Sequence, residues 1–503
     1  MAEATTAAGS TSPGDRSSTA GGPEGKDRSA ARRTRRRILV GGVAIAACAA
    51  IGFGATDLAT GGRITLAVFV VATLLWMFTS VDDTFVALGA GLVLVVTGVL
   101  EVEVLFGSLG DPTIWLLIFA FVIAAGVSSS GLATRAGAFL VAGARSVRQL
   151  AHLTTAALVV SAFAIPATSG RAALALPIFL ALARALGERR RVVLALALIF
   201  PTVILLSAVA TLIGAGAHLI SIEMLAHTTG QRIDFVQWLL LGVPLAIVSS
   251  HLAAELVLLL TTRRADRKGP VRITAESIGE ATKTPVTGRL SEAQTRSATL
   301  LAVIVVLWCS EPLHGVPPAV VACVGALVTA SPGLGTVRLR DSFATVPWPM
   351  LLFMAATMAM GAALTTSGAA AWITDGLFEP GRGAALPAWM FLGVVIALST
   401  AAHLVLQSRS ARSSVLVPLV IAAASGAGVS PAAAAFASTA AAGFCQTLPS
   451  SAKPVALFHQ VDGVTTYTPR DLLGVAALLA PLTAGLVLLF ALMVWPHLGL
   501  PIH

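Results

Sequence analysis

Gln407-Ser408-Arg409-Ser410-Ala411-Arg412 interrupts an apolar run that extends from residue 386 to residue 424. The run is too long for a single bilayer crossing, for which about 20 residues suffice, and its polar break falls near the middle. A second run, 150–185, carries the same kind of interruption at Ile165-Pro166-Ala167-Thr168-Ser169-Gly170-Arg171. Irregular backbone at membrane depth is tolerated only where it is buried in protein or lines a cavity. Both runs therefore read as re-entrant hairpins that enter and return on the same side.

Composition places these hairpins in a membrane protein. Of 503 residues, 56% are hydrophobic and only 11% are charged, against about 25% charged in ordinary soluble chains. With a mean hydropathy of +0.87, a soluble enzyme is excluded, as is a nucleic-acid binder despite the pI near 10.4. Further apolar segments lie near 38–56, 64–80, 83–100, 113–131, 192–222, 236–261, 297–311, 316–331, 348–368, 431–461 and 472–496. The expected fold is an all-α polytopic membrane protein with about 11 transmembrane helices and two re-entrant hairpins. Cys48, Cys309, Cys323 and Cys445 all sit in apolar runs without a CxxC pair and read as small buried hydrophobes.

The basic residues assign sidedness. Residues 1–37 form a tail poor in apolar residues, read as disordered and cytoplasmic. It ends in Arg32-Arg33-Thr34-Arg35-Arg36-Arg37, read as a positive-inside anchor for a first span rather than an export signal. With the first hairpin entering from inside and the second from outside, 26 of the 33 Lys and Arg fall on the cytoplasmic side. Only Arg63, Arg232 and Arg382 fall outside; Arg171, Arg409, Arg412 and Lys453 lie within membrane segments. The C-terminus is then extracytoplasmic, in a plasma membrane read as a bacterial inner membrane.

The chain also repeats. Leu66-Ala67-Val68-Phe69-Val70-Val71 returns as Leu301-Ala302-Val303-Ile304-Val305-Val306, and Ser129-Ser130-Gly131 as Thr366-Ser367-Gly368. The predicted halves are 38–261, with hairpin 150–185 and broken helix 192–222, and 297–503, with hairpin 386–424 and broken helix 431–461. A basic linker, 262–296, joins them inside, so the halves run in opposite directions. Inverted repeats with interrupted helices at matching positions mark secondary transporters that bind solute at the repeat interface.

At Asp111-Pro112-Thr113-Ile114-Trp115, Ala210-Thr211-Leu212-Ile213-Gly214, Val316-Pro317-Pro318, Val346-Pro347-Trp348 and Leu448-Pro449-Ser450-Ser451-Ala452-Lys453-Pro454, the chain resembles the divalent anion–sodium symporter family. The likeness covers roughly 64–500. It implies a homodimer with a fixed scaffold and an elevator-like moving domain, carrying di- or tricarboxylates or sulfate. The family's Ser-Asn-Thr triplets at the hairpin tips correspond to Ala167-Thr168-Ser169 and Ser408-Arg409-Ser410, neither with the asparagine. Its hydroxyl sodium ligands, four residues earlier, correspond to Phe163 and Leu404. Sodium wants several hard oxygen ligands, so sodium is not expected as a cofactor, and no metal site is expected.

Charge stands in its place. Arg171 and Arg412 occupy the same position in the two repeats, and Arg409 adds a third guanidinium. Arginine near the bilayer midplane costs at least about 2.5–3.5 kcal/mol, and neither tip has a neighbouring Asp or Glu in sequence. A small anionic solute is the natural counter-charge. The alternatives are that these arginines bond backbone carbonyls and lock the hairpins, or that Arg409 takes the place of a sodium ion. The expected substrate-binding residues are Thr168, Ser169, Arg171, Gly214, Ser408, Arg409, Ser410, Arg412, Ser451 and Lys453. His218, His251 and Glu255 are candidate proton carriers, with satisfied structural groups as the preferred reading of each. Asp82-Asp83 reads as a solvated turn. The expected function is sodium-independent transport of a small multivalent anion, with no enzymatic activity. An efflux carrier for an inorganic oxyanion or metabolite, or a non-transporting anion sensor, is the alternative.

Overall fold

A computed structural model describes residues 41–377 and 386–503, apart from 272, 283 and 462. The tail 1–37, its Arg32–Arg37 run, Arg272, Lys283 and Arg382 lie outside the described residues. Among those described, every regular element is helical, with only the isolated bridges Ser146–Pro270 and Val461–Val464 besides. Among the described residues, nine helices are long and apolar enough to cross a membrane.

The first half begins with α1 (Gly41–Gly54), α2 (Thr60–Phe78), α3 (Asp83–Val96) and α4 (Pro112–Ser129). Asp111 starts α4 by accepting the Thr113 N–H, with Pro112 at the first helical position. After α5 (Leu132–Ala142) comes the first hairpin, α6 (Val147–Ala164) and α7 (Thr168–Leu186). Its tip turns at Ala167, the only non-glycine among the described residues with positive φ (70°), a conformation that L side chains adopt only when their surroundings enforce it. The first broken helix is α8 (Arg190–Leu206), an irregular stretch through 215, and α9 (Gly216–Thr229). Helix α10 (Phe235–Thr261) closes the half.

The second half follows the same order: α11 (Glu292–Cys309), α12 (Pro318–Thr329) and α13 (Trp348–Thr366), then the second hairpin. That hairpin pairs α14 (Ala388–Ala401) with α15 (Arg409–Gly426), the latter capped by Ser408, whose hydroxyl accepts the Ala411 N–H. The second broken helix is α16 (Pro431–Ala441) and α17 (Lys453–His459), and α18 (Pro469–Leu489) ends the repeat.

Bilayer lipid is as apolar as a leucine side chain, so membrane helices gain from close backbone approach. Glycine permits it here. On α4, a Cβ at Gly126 would lie 2.2 Å from Thr329 Cγ2 of α12. On α10, a Cβ at Gly242 would lie 2.1 Å from the Val209 carbonyl oxygen in the first break. The second contact seats α10 against irregular backbone, where Trp238 Nε1 also donates to Val209 O at 3.0 Å. Helix α10 thereby fixes the shape of the break. Gly242→Ala is expected to lower the melting temperature of the detergent-purified protein by several degrees, a loss on the order of 2 kcal/mol. Gly393→Ala, whose Cβ meets nothing within 4 Å, should leave it within a degree or two.

Candidate functional site

The two hairpin tips and the second break line one large open cavity of about 1650 Å³. Exposed Asp82, Arg338 and Asp341 line its outer part. Deeper in, Thr168 and Ser169 of the first hairpin face Ser408, Arg409, Ser410 and Arg412 of the second, with Ser451 and Lys453 beside them. Eight of the ten residues expected to bind solute therefore share one wall system. Gly214 and Arg171 do not line it.

Gly214 has a backbone role. A Cβ there would sit 2.1 Å from the Ala208 carbonyl oxygen, so the residue closes the tight turn of the first break.

Arg171 corrects a sequence expectation. Its guanidinium is buried inside the first hairpin and engaged by protein oxygens. Nε donates to Ser161 Oγ (3.1 Å), one terminal nitrogen to Ile204 O (3.0 Å), and the other to Ser207 Oγ (2.7 Å) and Leu158 O. These acceptors come from α6 and from the end of α8, so Arg171 ties hairpin to broken helix. Four of its five N–H donors are taken, and the residue does not line the cavity.

Arg412, its counterpart in the other repeat, is 0% exposed, and Nε and both terminal nitrogens have no hydrogen-bond partner among the described residues. The local cause is visible in the residues. Ser161 lies ten residues before Arg171; the same spacing before Arg412 falls on Ala402, which has no hydroxyl. The first break opens with Ser207, the second with Ala442-Gly443-Phe444. In the second hairpin, Ser399 instead shares a hydrogen bond with Ser438 of α16 (2.8 Å). One guanidinium is satisfied by its own repeat, whereas the other is left facing the cavity.

Arg409 links the two halves. One of its terminal nitrogens donates to His218 Nε2 at 3.1 Å, while Nε and the other terminal nitrogen are buried without partners. His218 is 0% exposed and packs against Trp238 at a tilt of 32°, with ring centroids 4.9 Å apart. Its Nδ1 lies 3.0 Å from Thr211 O. These partners assign the Nδ1–H tautomer, which leaves Nε2 free to accept from Arg409. That is the geometry of a fixed neutral acceptor. The same Arg409 nitrogen would lie 3.0 Å from a Cβ at Gly443, so the guanidinium sits between the two breaks.

His251 and Glu255 lie away from the cavity. His251 Nδ1 meets His152 Nδ1 at 2.8 Å, and His152 Nε2 meets Glu255 at 2.6 Å, with Arg148 also on Glu255. Sequence reading missed His152 and Arg148, which face α10 from the first hairpin arm. It also missed His403, held by Thr400 O and by Thr447 Oγ1 at 3.0 Å near the second tip. No metal site was expected, yet Asp111, Glu223 and His227 bring their ligand atoms within 4.8 Å of one another, with Thr113 Oγ1 donating to Glu223. The reading of Asp82-Asp83 as a solvated turn is corrected too. Asp82 caps α3 through the N–H groups of Thr84 and Phe85, and half-buried Asp83 lines the cavity.

An all-helical membrane protein with hairpins, interrupted helices and a polar cavity at their junction is a transport protein. Residues 73–441 match the citrate transporter family, and the chain belongs to it. Among its relatives, a protein of Cupriavidus necator described as "Membrane protein" is 24% identical over 384 residues, covering 73% of this chain and 74% of that one. The spinach "Dicarboxylate transporter 1, chloroplastic" is 26% identical over 350 residues, covering 67% of this chain and 60% of that protein. Two solved structures share the fold. The Alcanivorax borkumensis YdaH transporter aligns with a TM-score of 0.56 at 14% identity, over 78% of this chain and 88% of its own. MtrF of Neisseria gonorrhoeae, from a class of antimetabolite efflux pumps, aligns with a TM-score of 0.55 at 13% identity, over 90% and 99%.

The two arginines separate by experiment. Arg171→Met removes hydrogen bonds that hold the first hairpin and should lower the melting temperature markedly, while the remaining folded protein keeps its anion affinity. Arg412→Met removes an unpartnered charge. It should leave the melting temperature unchanged or raised, and reduce anion affinity at least tenfold. Thermal unfolding with and without citrate checks both.

Proposed function

We propose that this transporter carries a small multivalent anion, a di- or tricarboxylate with sulfate as the second choice, across the plasma membrane by alternating access and without sodium. The observation that carries this reading is Arg412, a fully buried guanidinium at the cavity wall with three unpartnered nitrogens. Such a group is expensive in a bilayer unless a counter-charge reaches it, and a carboxylate or sulfate matches its planar donors. Hydroxyls of Thr168, Ser169, Ser408 and Ser410 and the ammonium of Lys453 line the same space and complete a polar cradle.

Sodium is unnecessary on this reading. Phe163 and Leu404 offer no side-chain oxygen where the family's ligands would stand, and Leu404 is 62% exposed. Arg409, held between the two breaks, supplies a tethered positive charge that neither enters nor leaves. A moving element with two guanidinium charges and no bound anion crosses the bilayer with difficulty, so loaded exchange is favoured over return of the empty carrier. Together with the family match, the dicarboxylate transporter of spinach supports an organic anion as the solute.

Counterflow in proteoliposomes tests the proposal. Vesicles preloaded with unlabelled succinate, citrate or sulfate should accumulate the labelled solute equally in sodium and choline salts. Empty vesicles should take up at least tenfold less. Strict dependence on a sodium gradient overturns the reading.

A further inference from the structure

His152 and His251 meet Nδ1 to Nδ1 at 2.8 Å where α6 packs on α10, with ring centroids 5.1 Å apart. Neither two bare nitrogens nor two N–H groups sit stably so close, so one proton lies between them. The other nitrogen of His152, Nε2, lies 2.6 Å from Glu255, whose carboxylate also accepts the Nε–H of Arg148. A carboxylate only accepts, which assigns the Nε2 proton to His152.

Two arrangements satisfy these contacts. With both rings neutral, His251 donates its Nδ1–H to the bare Nδ1 of His152. With one proton more, His152 is an imidazolium that donates to Glu255 from one nitrogen and to His251 from the other. A further proton has no place. Both Nδ1 atoms would then carry hydrogens, and two positive rings would face each other at hydrogen-bond distance.

The cluster stands near the end of α6 that is tied to the linker. Ser146, which caps α6, bridges to Pro270, and Arg145 O accepts the Val271 N–H. Arg148 lies one turn nearer that end and is largely exposed, while the side chains of His152 and Glu255 are partly exposed and open to protons from that side. Charged groups on the other elements packed against α6 and α10 are engaged elsewhere. Arg135 of α5 donates to Gly288 O, Arg289 O and Gln294, and Arg171 of α7 to α6 and α8. In a short linker helix (Arg264–Lys268), Asp266 meets Arg191 and the Arg263 N–H, and Arg267 donates to Leu258 O and Thr262 O. Among the described residues, the ion pairs of Glu255 are those with Arg148 and His152.

Helix α6 leads directly into the first hairpin tip, whose Thr168 and Ser169 line the cavity. It also carries Leu158 O and Ser161 Oγ, two of the acceptors that hold Arg171, about two turns beyond His152. A change in the seat of α6 is therefore felt at the tip.

We infer that His152, His251 and Glu255 form an acid-sensitive latch on the first hairpin: the contact between α6 and α10 accommodates one added proton and is broken by the second. The parted histidines accept that second proton and the closed pair does not. Falling pH therefore favours the parted arm, and the stability that the contact supplies is present at neutral pH and lost toward acid. None of the cluster lines the cavity, so the latch does not depend on which solute is carried.

His251→Asn places an amide where Nδ1 stood, keeps a hydrogen-bonding partner for His152 and cannot take the proton. Hydrogen exchange and thermal unfolding of the detergent-purified full chain from about pH 8 to about pH 5 provide the test, a range that brackets the ordinary histidine pKa of about 6.5. In wild type, the segment 147–164 should lose protection about tenfold at the acid end, after correction for intrinsic exchange rates. Its melting temperature should fall several degrees further than that of His251→Asn. The variant should hold its protection within about twofold over the same range. Should His251→Asn fail to fold, His152→Gln, whose amide still donates to Glu255, carries the same expectation. Equal acid loss in wild type and a folded variant overturns the latch, as does unchanged protection of 147–164 in wild type. Loss spread evenly over every segment overturns it too, because that is general acid unfolding.

Discussion

A guanidinium inside a bilayer must find partners, and the two hairpins of this protein answer that demand in opposite ways. Arg171 is surrounded by the hydroxyls of Ser161 and Ser207 and the carbonyls of Leu158 and Ile204. Arg412, at the matching place in the inverted repeat, has none of these. The first arrangement makes a hairpin rigid. The second leaves a buried positive charge at the cavity wall with no hydrogen-bond partner among the described residues. The proposed substrate chemistry rests on this asymmetry, more than on any single binding motif.

Holding such a charge in place requires a frame that does not relax around it. Glycines at the breaks provide it by bringing backbone to backbone: Gly214 against Ala208 O, and Gly242 against Val209 O. That packing orients Trp238, against which His218 packs, and His218 in turn receives Arg409 from a residue 191 positions away. The second hairpin tip is thereby anchored to the first broken helix. A polar cavity with contributions from both repeats results, although the charged groups around Arg412 come from the second repeat alone. Asp83 adds the opposing sign from a helix outside the hairpins.

Much of this was legible from local composition. The interruptions at 165–171 and 407–412 marked the hairpin tips because polar and proline-containing segments cannot face lipid. Repeated strings at Leu66 and Leu301 disclosed the duplication, and the polar residues at the tips identified most of the cavity lining. The family likeness rested on short motifs whose order, rather than any one of them, was informative. Less visible were the partners of each charged group. Arg171 and Arg412 look alike in sequence because each follows its tip triplet at the same distance, and the residues that distinguish them lie on other helices.

Chain chemistry alone dictated a helical membrane protein with paired hairpins, since hydrophobic length and polar interruption are properties of contiguous residues. Which arginine is satisfied and which is free was decided by folding, because hydrogen-bond partners are chosen by distance in space. Asp83 makes the same point. Two adjacent acids in a short turn carry no sign that one caps a helix and the other enters a cavity. That difference arises only when the turn is packed at the wall of a cavity whose other lining, Ser408 among it, comes from more than half the chain away.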